Sequence, residues 1–234
     1  MPEYTLEIKL LSDTAFSAGA GVAGMVDSEI QYDEVGLPTL SGRAIKGLLT
    51  NACSEILYAL GQNQEDRWAQ AAHHLFGIHG EMLDRAGALA IGDAAVAPDL
   101  RAWLTSDFSR KKFSRQEIID SLTDLRRQTA MNEFGAPKDN SLRTIRVLIR
   151  GITLYAPIHF GSEPTADEKA LLAACVMGVK RAGLGRNRGR GKVQIQITNR
   201  PLLPNEFVAR ENQEKDLTME WFALFESAIV QEAA

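Results

Sequence analysis

Ten residues, Gly183 to Lys192, read GLGRNRGRGK and concentrate side chains that could do chemistry. From Lys180 to Arg200 there are seven Lys/Arg and no Asp or Glu, in a chain whose formal net charge is −4. Glycines let a backbone turn tightly and approach a ligand with its amides pointing outward. Here Gly183, Gly185, Gly189 and Gly191 alternate with Arg186, Arg188, Arg190 and Lys192, and Lys180 and Arg181 lead into them. Such a turn fits a phosphate backbone; a basic run without the glycines would read equally well as a solvated loop. The stretch is not a Walker loop, because no GxxxxGK[ST] is present, and not a dinucleotide fingerprint, because its glycines follow a helical run instead of opening one.

A second anion-binding arrangement begins at Ser41-Gly42. Ser41 is suited to N-cap a helix from Gly42 to about Leu60. The apolar set Ile45, Leu48, Leu49, Ala52, Ile56, Leu57 and Leu60 keeps helical spacing, so one face meets a core. Arg43, Lys46 and Thr50 lie on another face near the helix start, where anions are favoured. Their alternative is an ordinary solvated face. Upstream, the Gly-, Ala- and Ser-rich stretch 12–40 carries Asp13, Asp27, Glu29, Asp33 and Glu34, and composition singles out none of them. His73, His74 and His79 with Cys53 match no standard zinc spacing, so no zinc is expected. Cys53 and Cys175 fall in apolar helical runs and read as buried thiols of a cytoplasmic protein.

The elements that must position these residues follow from periodicity. Residues 4–11 alternate as a strand. Residues 12–40 form a long irregular segment ending at Leu37-Pro38. After the 42–60 helix, a short helix ends near Phe76, and 87–95 reads as a buried strand. Residues 98–113 read as irregular and 115–125 as helical. Residues 126–142 carry turn signals and suggest a protruding hairpin. Residues 143–155 read as one long strand, 165–182 as the second long helix, 193–198 as the last core strand, and 217–230 as a C-terminal helix. With 234 residues and 45% apolar content, the chain is expected to form a single domain over 1–234. It lacks an apolar run of membrane-spanning length, and its start shows no secretory pattern. The order strand, helix, strand, strand, helix, strand predicts an α+β fold. It is the ferredoxin-like (RRM-like) βαββαβ core, with insertions at about 12–40, 61–86 and 96–142.

Four stretches resemble one family. GLPTLSGRAIKGLL at 36–49 is similar to the helix opening of the RAMP superfamily, and GLGRNRGRGKVQI at 183–195 to its glycine-rich loop. HLFG at 74–77 with ALAIGDA at 88–94 resembles its middle segment, and RRQTAMNEFGAPKDNSLRTIRV at 126–147 its thumb. The length and organisation look most like the repeated backbone subunit of a type III CRISPR effector complex, the subunit that cuts target RNA in antiviral defence.

The resemblance implies binding of guide RNA (crRNA) through Ser41, Gly42, Arg43, Lys46, Lys180, Arg181, Gly183, Gly185, Arg186, Arg188, Arg190 and Lys192. It implies a thumb around 126–142, with Met131, Asn132, Phe134 and Arg143, that wedges between bases and kinks the strand. It implies target RNA, other effector subunits and head-to-tail copies of the chain itself as partners. An endoribonuclease of this kind would need Mg2+ or a similar divalent ion. Its catalytic aspartate falls at Asp27, in GVAGMVDSEI, with Asp33 as second candidate. Two departures bear on activity: Ala23-Gly24 replaces a Gly-Gly pair, and Ser28 follows the aspartate. The alternatives are a non-catalytic scaffold of the same superfamily, an endoribonuclease processing precursor guide RNA with His159 as its acid or base, and a small-molecule enzyme. The uninterrupted cationic loop argues against the last.

Overall fold

The first strand, β1 (Tyr4–Leu10), alternates Leu6, Ile8 and Leu10 with Glu7 and Lys9, the period of a strand buried on one face. The structure is a computed structural model and describes residues 4–17, 19, 21, 26–61, 66–78, 87–130, 132–138, 141–203 and 215–232. After β1 come the short strands β2 (Gln31–Tyr32) and β3 (Pro38–Leu40), helices α1 (Gly42–Ala59) and α2 (Arg67–Phe76), and strands β4 (Leu89–Ile91) and β5 (Ala94–Ala95). Helices α3 (Pro98–Thr105), α4 (Asp107–Lys112) and α5 (Arg115–Leu122) follow, then strands β6 (Thr123–Gln128), β7 (Arg143–Leu148) and β8 (Thr153–Phe160). Helix α6 (Ala166–Gly178), strand β9 (Val193–Thr198) and helix α7 (Thr218–Glu232) complete the order.

The main sheet runs β2-β3-β5-β8-β1-β9, with β4 also paired to β8. Taking β4 and β5 as one interrupted strand, the core places β4/β5, β8, β1 and β9 side by side, with α1 and α6 as crossovers. That is the ferredoxin-like arrangement read from the sequence. Register sets the buried face: Leu6 lies opposite Ala156 and Ile197, and Ile8 opposite Leu154 and Ile195. All six are buried. α1, α2 and α7 surround α6, whose Leu171, Leu172, Ala173, Cys175 and Val176 are buried on nearly every side. α6 therefore shows little amphipathic stripe, as a helix enclosed by its neighbours should. Its start is fixed by a capping box between Thr165 and Glu168. Among the described residues, no helix is long and apolar enough to cross a membrane.

Four expectations are corrected. The long strand over 143–155 is two strands, because Gly151 turns the chain at φ 91° and Leu10 brackets that turn with hydrogen bonds to Gly151 and Ile152. β7 leaves the main sheet and pairs with β6, so the protruding hairpin has a longer stem than the turn signals marked: Thr123–Gln128 against Arg143–Leu148. The stretch 98–113 is helical, with Pro98 in the first turn of α3 and Ser106 capping α4. The strand over 87–95 breaks at Gly92-Asp93, where the Gly92 amide bonds the Pro157 carbonyl and Asp93 turns toward α1.

Leu6 is fully buried, whereas Phe134 at the hairpin tip is 85% exposed. Leu6→Ala is expected to cost about 2–5 kcal/mol in chemical denaturation. Phe134→Ala should cost less than about 0.5 kcal/mol, as surface positions do.

Candidate nucleic-acid interface

The glycine-rich loop is held in shape by its own residues. Gly183 and Gly191 have φ of 80° and 72°; a Cβ there would sit 2.5 Å from the Ala15 carbonyl oxygen and 2.1 Å from that of Ala182. Only glycine meets both demands. Between them Arg186–Arg188 forms a single 3-10 turn. Arg181 donates from Nη1 to the carbonyls of Arg186 and Arg190, both at 3.0 Å. Arg181 thus ties the loop together, while Arg186, Arg188 and Lys192 are exposed and Arg190 is half-buried. Lys180 is exposed too, but it lines a separate cavity with Met177 and Asp216.

The helix opening lies across a groove from this loop. The groove, about 250 Å³, is lined by Ala15, Phe16, Ser41, Ala44, Gly183 and Leu184 among others. Ser41 caps the helix by accepting from the Ala44 amide at 3.3 Å. The Gly42 amide donates to the Asp93 carboxylate at 2.8 Å, and Gly42 passes so close to β4 that a Cβ would meet the Ile91 carbonyl at 2.0 Å. The helix start is therefore capped from within, and its offering to an anion is the exposed Arg43 guanidinium. Lys46 turns the other way: its Nζ donates to the Leu89 carbonyl at 2.7 Å, and burial pushes its pKa down.

The hairpin stem carries the carboxylate to this place. Residues 26–29 run beside β7 as an added parallel segment. The Asp27 amide donates to the Thr144 carbonyl at 2.8 Å, and the Arg146 amide to the Ser28 carbonyl at 3.0 Å. Glu29 pairs with Arg146 and accepts from the Tyr32 hydroxyl at 3.0 Å. Burial, then the Glu29 charge, pushes the Tyr32 hydroxyl upward and keeps it a donor. The exposed Asp27 carboxylate accepts from the Thr144 amide through Oδ2 at 2.6 Å. Thr144 pairs with Arg127, and the next position pairs Arg143 with Gln128. Arg188 of the glycine loop donates to Gln128 Oε1 at 3.0 Å. The cationic loop therefore bonds β6 and Asp27 bonds β7 at adjacent register positions of one stem.

Asp33 has a different occupation. Its Oδ1 accepts from the amides of Val35, Gly36 and Leu37 at 2.9 to 3.0 Å, and its Oδ2 pairs with Arg101. Those bonds build the turn into β3. At the hairpin tip, Asn132 Oδ1 accepts from the Phe134 and Ala136 amides, an Asx-type turn that leaves the Phe134 ring in solvent. Arg143 is exposed on the stem. Met131, His79 and the Ala23-Gly24 turn lie outside the described residues.

Ser12–Ala15 is a segment to which the sequence assigns no such role. Asp13 pairs with Arg126 at 2.7 Å, and its carbonyl accepts from the Gly191 amide at 3.0 Å. Thr14 exchanges backbone hydrogen bonds with Leu148, and the Ala15 carbonyl accepts from the Leu184 amide. Hairpin and loop are both joined to it. The Asp13 carboxylate is visible in the sequence as a candidate; the backbone partners carry no side-chain signature.

Among the described residues, no group of three or more His, Cys, Asp or Glu converges to hold a metal ion. A Mg2+-like ion uses one or two carboxylates plus substrate phosphates, so exposed Asp27 fits it as a single protein ligand completed by RNA. His159 is exposed on β8 opposite Ala90. It lies at the Tyr4 end of β1, whereas the glycine loop joins β9 at the Leu10 end. The seven residues of β1, Tyr4–Leu10, separate the two, roughly 25 Å.

No family model matches the sequence, and no curated protein matches it. The fold does have solved neighbours. A chain of a type III-B Cmr-beta complex in its apo state is 12% identical, with a TM-score of 0.59 over 83% of this chain and 96% of that one. A chain of type III-B Cmr-beta bound to cognate target RNA gives the same values. At that identity the likeness is one of fold.

Each cation that neutralises a phosphate of a single strand adds about 0.7 to the log–log salt slope of binding. Replacing Arg186, Arg188 and Arg190 with Ala should therefore lower the slope for single-stranded RNA by about 2. Arg43→Ala should lower it as well, whereas Lys46→Met should leave it unchanged and reduce stability instead. Titrations over a range of salt concentrations measure all three.

Proposed function

We propose that this chain is a guide-RNA-binding backbone subunit of a type III CRISPR ribonucleoprotein and cleaves the guide-paired target RNA. The observation that carries this reading is the attachment of the cationic loop and of Asp27 to adjacent register positions on the two strands of one hairpin stem. The fold neighbours from type III-B Cmr-beta complexes, one of them bound to target RNA, support it. Arg186, Arg188, Arg190 and Arg43 hold the guide backbone along the groove. Sequence is read by base pairing to the guide, so the protein needs shape and charge and no base-specific side chains. Further partners are other effector subunits and copies of this chain arranged head to tail.

Cleavage proceeds by in-line attack of a ribose 2′-hydroxyl on the adjacent phosphorus, which forms a 2′,3′-cyclic phosphate and breaks the bond to the 5′-oxygen of the next nucleotide; that oxygen leaves with a proton from water. Phe134, exposed at the tip, wedges a base out of the stack. The resulting kink brings the hydroxyl into line, and such positioning supplies several kcal/mol of the barrier. Asp27 takes the hydroxyl proton; general-base help is worth about 10²–10⁴-fold. Its bond to the Thr144 amide through Oδ2 fixes the carboxylate on the stem and leaves Oδ1 to face RNA. In the alternative role, the same oxygen would hold a Mg2+-like ion together with RNA, and the ion would neutralise charge at the phosphate. The distance of His159 from the loop disfavours the precursor-processing reading. The remaining alternative is a scaffold that coats guide RNA without cutting.

Asp27→Ala should cut target cleavage by the assembled complex about 100-fold or more and leave guide affinity within about twofold. Asp33→Ala should lower thermal stability through loss of the Asp33 turn, with cleavage retained in the folded protein. If the wild type never cuts a matched target in the presence of Mg2+, the scaffold reading holds.

A further inference from the structure

The insertion α3–α4 carries a second concentration of positive charge that the loop and hairpin do not use. Residues 107–115 read DFSRKKFSR, with four cations and one acid. Arg110, Lys111 and Lys112 are exposed, and among the described residues none of them forms an ion pair. Cations in a last helical turn complement the helix dipole, yet that would explain a charge or two and not the rings beside them. Trp103 is 49% exposed and Phe108 65%. Lys112 Nζ lies 5.7 Å from the ring centroids of both Phe108 and Phe113, and Trp103 meets Phe113 at 5.8 Å. A groove of about 430 Å³ opens beside them, lined by Leu100, Trp103, Leu104, Phe113 and Ile118 among others.

Burial does not account for these rings. An aromatic ring left half in water costs free energy that burial would recover, and three unpaired cations repel one another. A polyanion bearing flat apolar bases answers both: phosphates sit against Arg110, Lys111 and Lys112 while bases stack on Phe108 and Trp103. Alternation of cations with exposed aromatics is how proteins hold single strands without sequence preference. We infer that α3–α4 is a second single-stranded RNA surface, with Trp103 and Phe108 as stacking platforms, separate from the glycine-rich loop.

The chain reports on this site directly. Of its three tryptophans, Trp68 is fully buried and Trp221 is 5% exposed, so quenching by a solute in water reads Trp103. A uridine oligonucleotide of about 15 nucleotides is titrated into the full chain, following anisotropy of the labelled RNA and acrylamide quenching of the protein. RNA is expected to shield Trp103 from acrylamide, and Trp103→Phe should remove the signal while binding persists. Phe108→Ala and the pair Lys111→Ala with Lys112→Ala should each weaken binding roughly tenfold; these exposed positions leave the fold intact. The shielding should survive in the Arg186, Arg188 and Arg190 triple alanine variant.

Several results overturn the inference. If RNA saturates the wild type and Trp103 stays as accessible as before, RNA does not stack there, and the loop reading stands unaffected. If Trp103 is shielded without RNA as protein concentration rises, and Phe108→Ala abolishes self-association in sedimentation, the face belongs to a second copy of the chain. If no form of the protein binds RNA, this surface and the proposed function fail together.

Discussion

Four residues, Ser12 to Ala15, hold the molecule's candidate interface together through backbone hydrogen bonds on two sides. On one side Asp13 and Ala15 accept from Gly191 and Leu184 of the glycine-rich loop, and on the other Thr14 is doubly bonded to Leu148 of the hairpin stem. Thr14 and Ala15 are almost completely buried, where an unmade backbone hydrogen bond is costly. Neither loop nor hairpin can shift without breaking bonds in this segment. The Asp13–Arg126 pair adds a side-chain tie between the same parts. Two surface excursions of a ferredoxin-like core thereby act as one rigid body, which positions Asp27 relative to the arginines.

Asp27 and Asp33 show how environment divides residues of one type. They stand six positions apart in one irregular segment. Asp33 spends both carboxylate oxygens on the protein, three amides on one and Arg101 on the other. Asp27 spends one oxygen on Thr144 and is exposed. A carboxylate with one oxygen unpaired among the described residues can meet a substrate; one consumed by a turn cannot without dismantling it. The same division separates Arg43 from Lys46, and Arg186 from Arg181. In each pair one cation faces solvent while the other bonds a carbonyl within the fold.

The fold was legible where side-chain periodicity carries it. The alternation in β1 and β9, the apolar stripe of α1 and the N-cap at Ser41 identify the core elements. The α3–α4 helices were also marked, by Pro98 and Ser106, but their mixed polarity hid the signal. The division of 143–155 into two strands could not be read from its β-forming residues, since both halves are strands; only Gly151 marks the turn. The glycine-rich loop announced itself through composition. Its convergence with Asp27 did not, because it depends on Ser12–Ala15 and on a parallel addition to β7, both made by backbone groups that every residue possesses. The internal capping of α1 by Asp93 was hidden for the same reason: its partner is a bare amide 51 positions away.

The most direct test of a single interface at the hairpin base is photo-crosslinking with RNA containing 4-thiouridine, followed by mass spectrometric mapping of the attached peptides. Cross-links are predicted on the glycine-rich loop at 183–192, on the 26–29 segment and on the hairpin at 123–148, all from the same bound strand. Cross-links confined to the opposite end of the sheet, around His159 and β4, with the loop and Asp27 segment unlabelled, would contradict it.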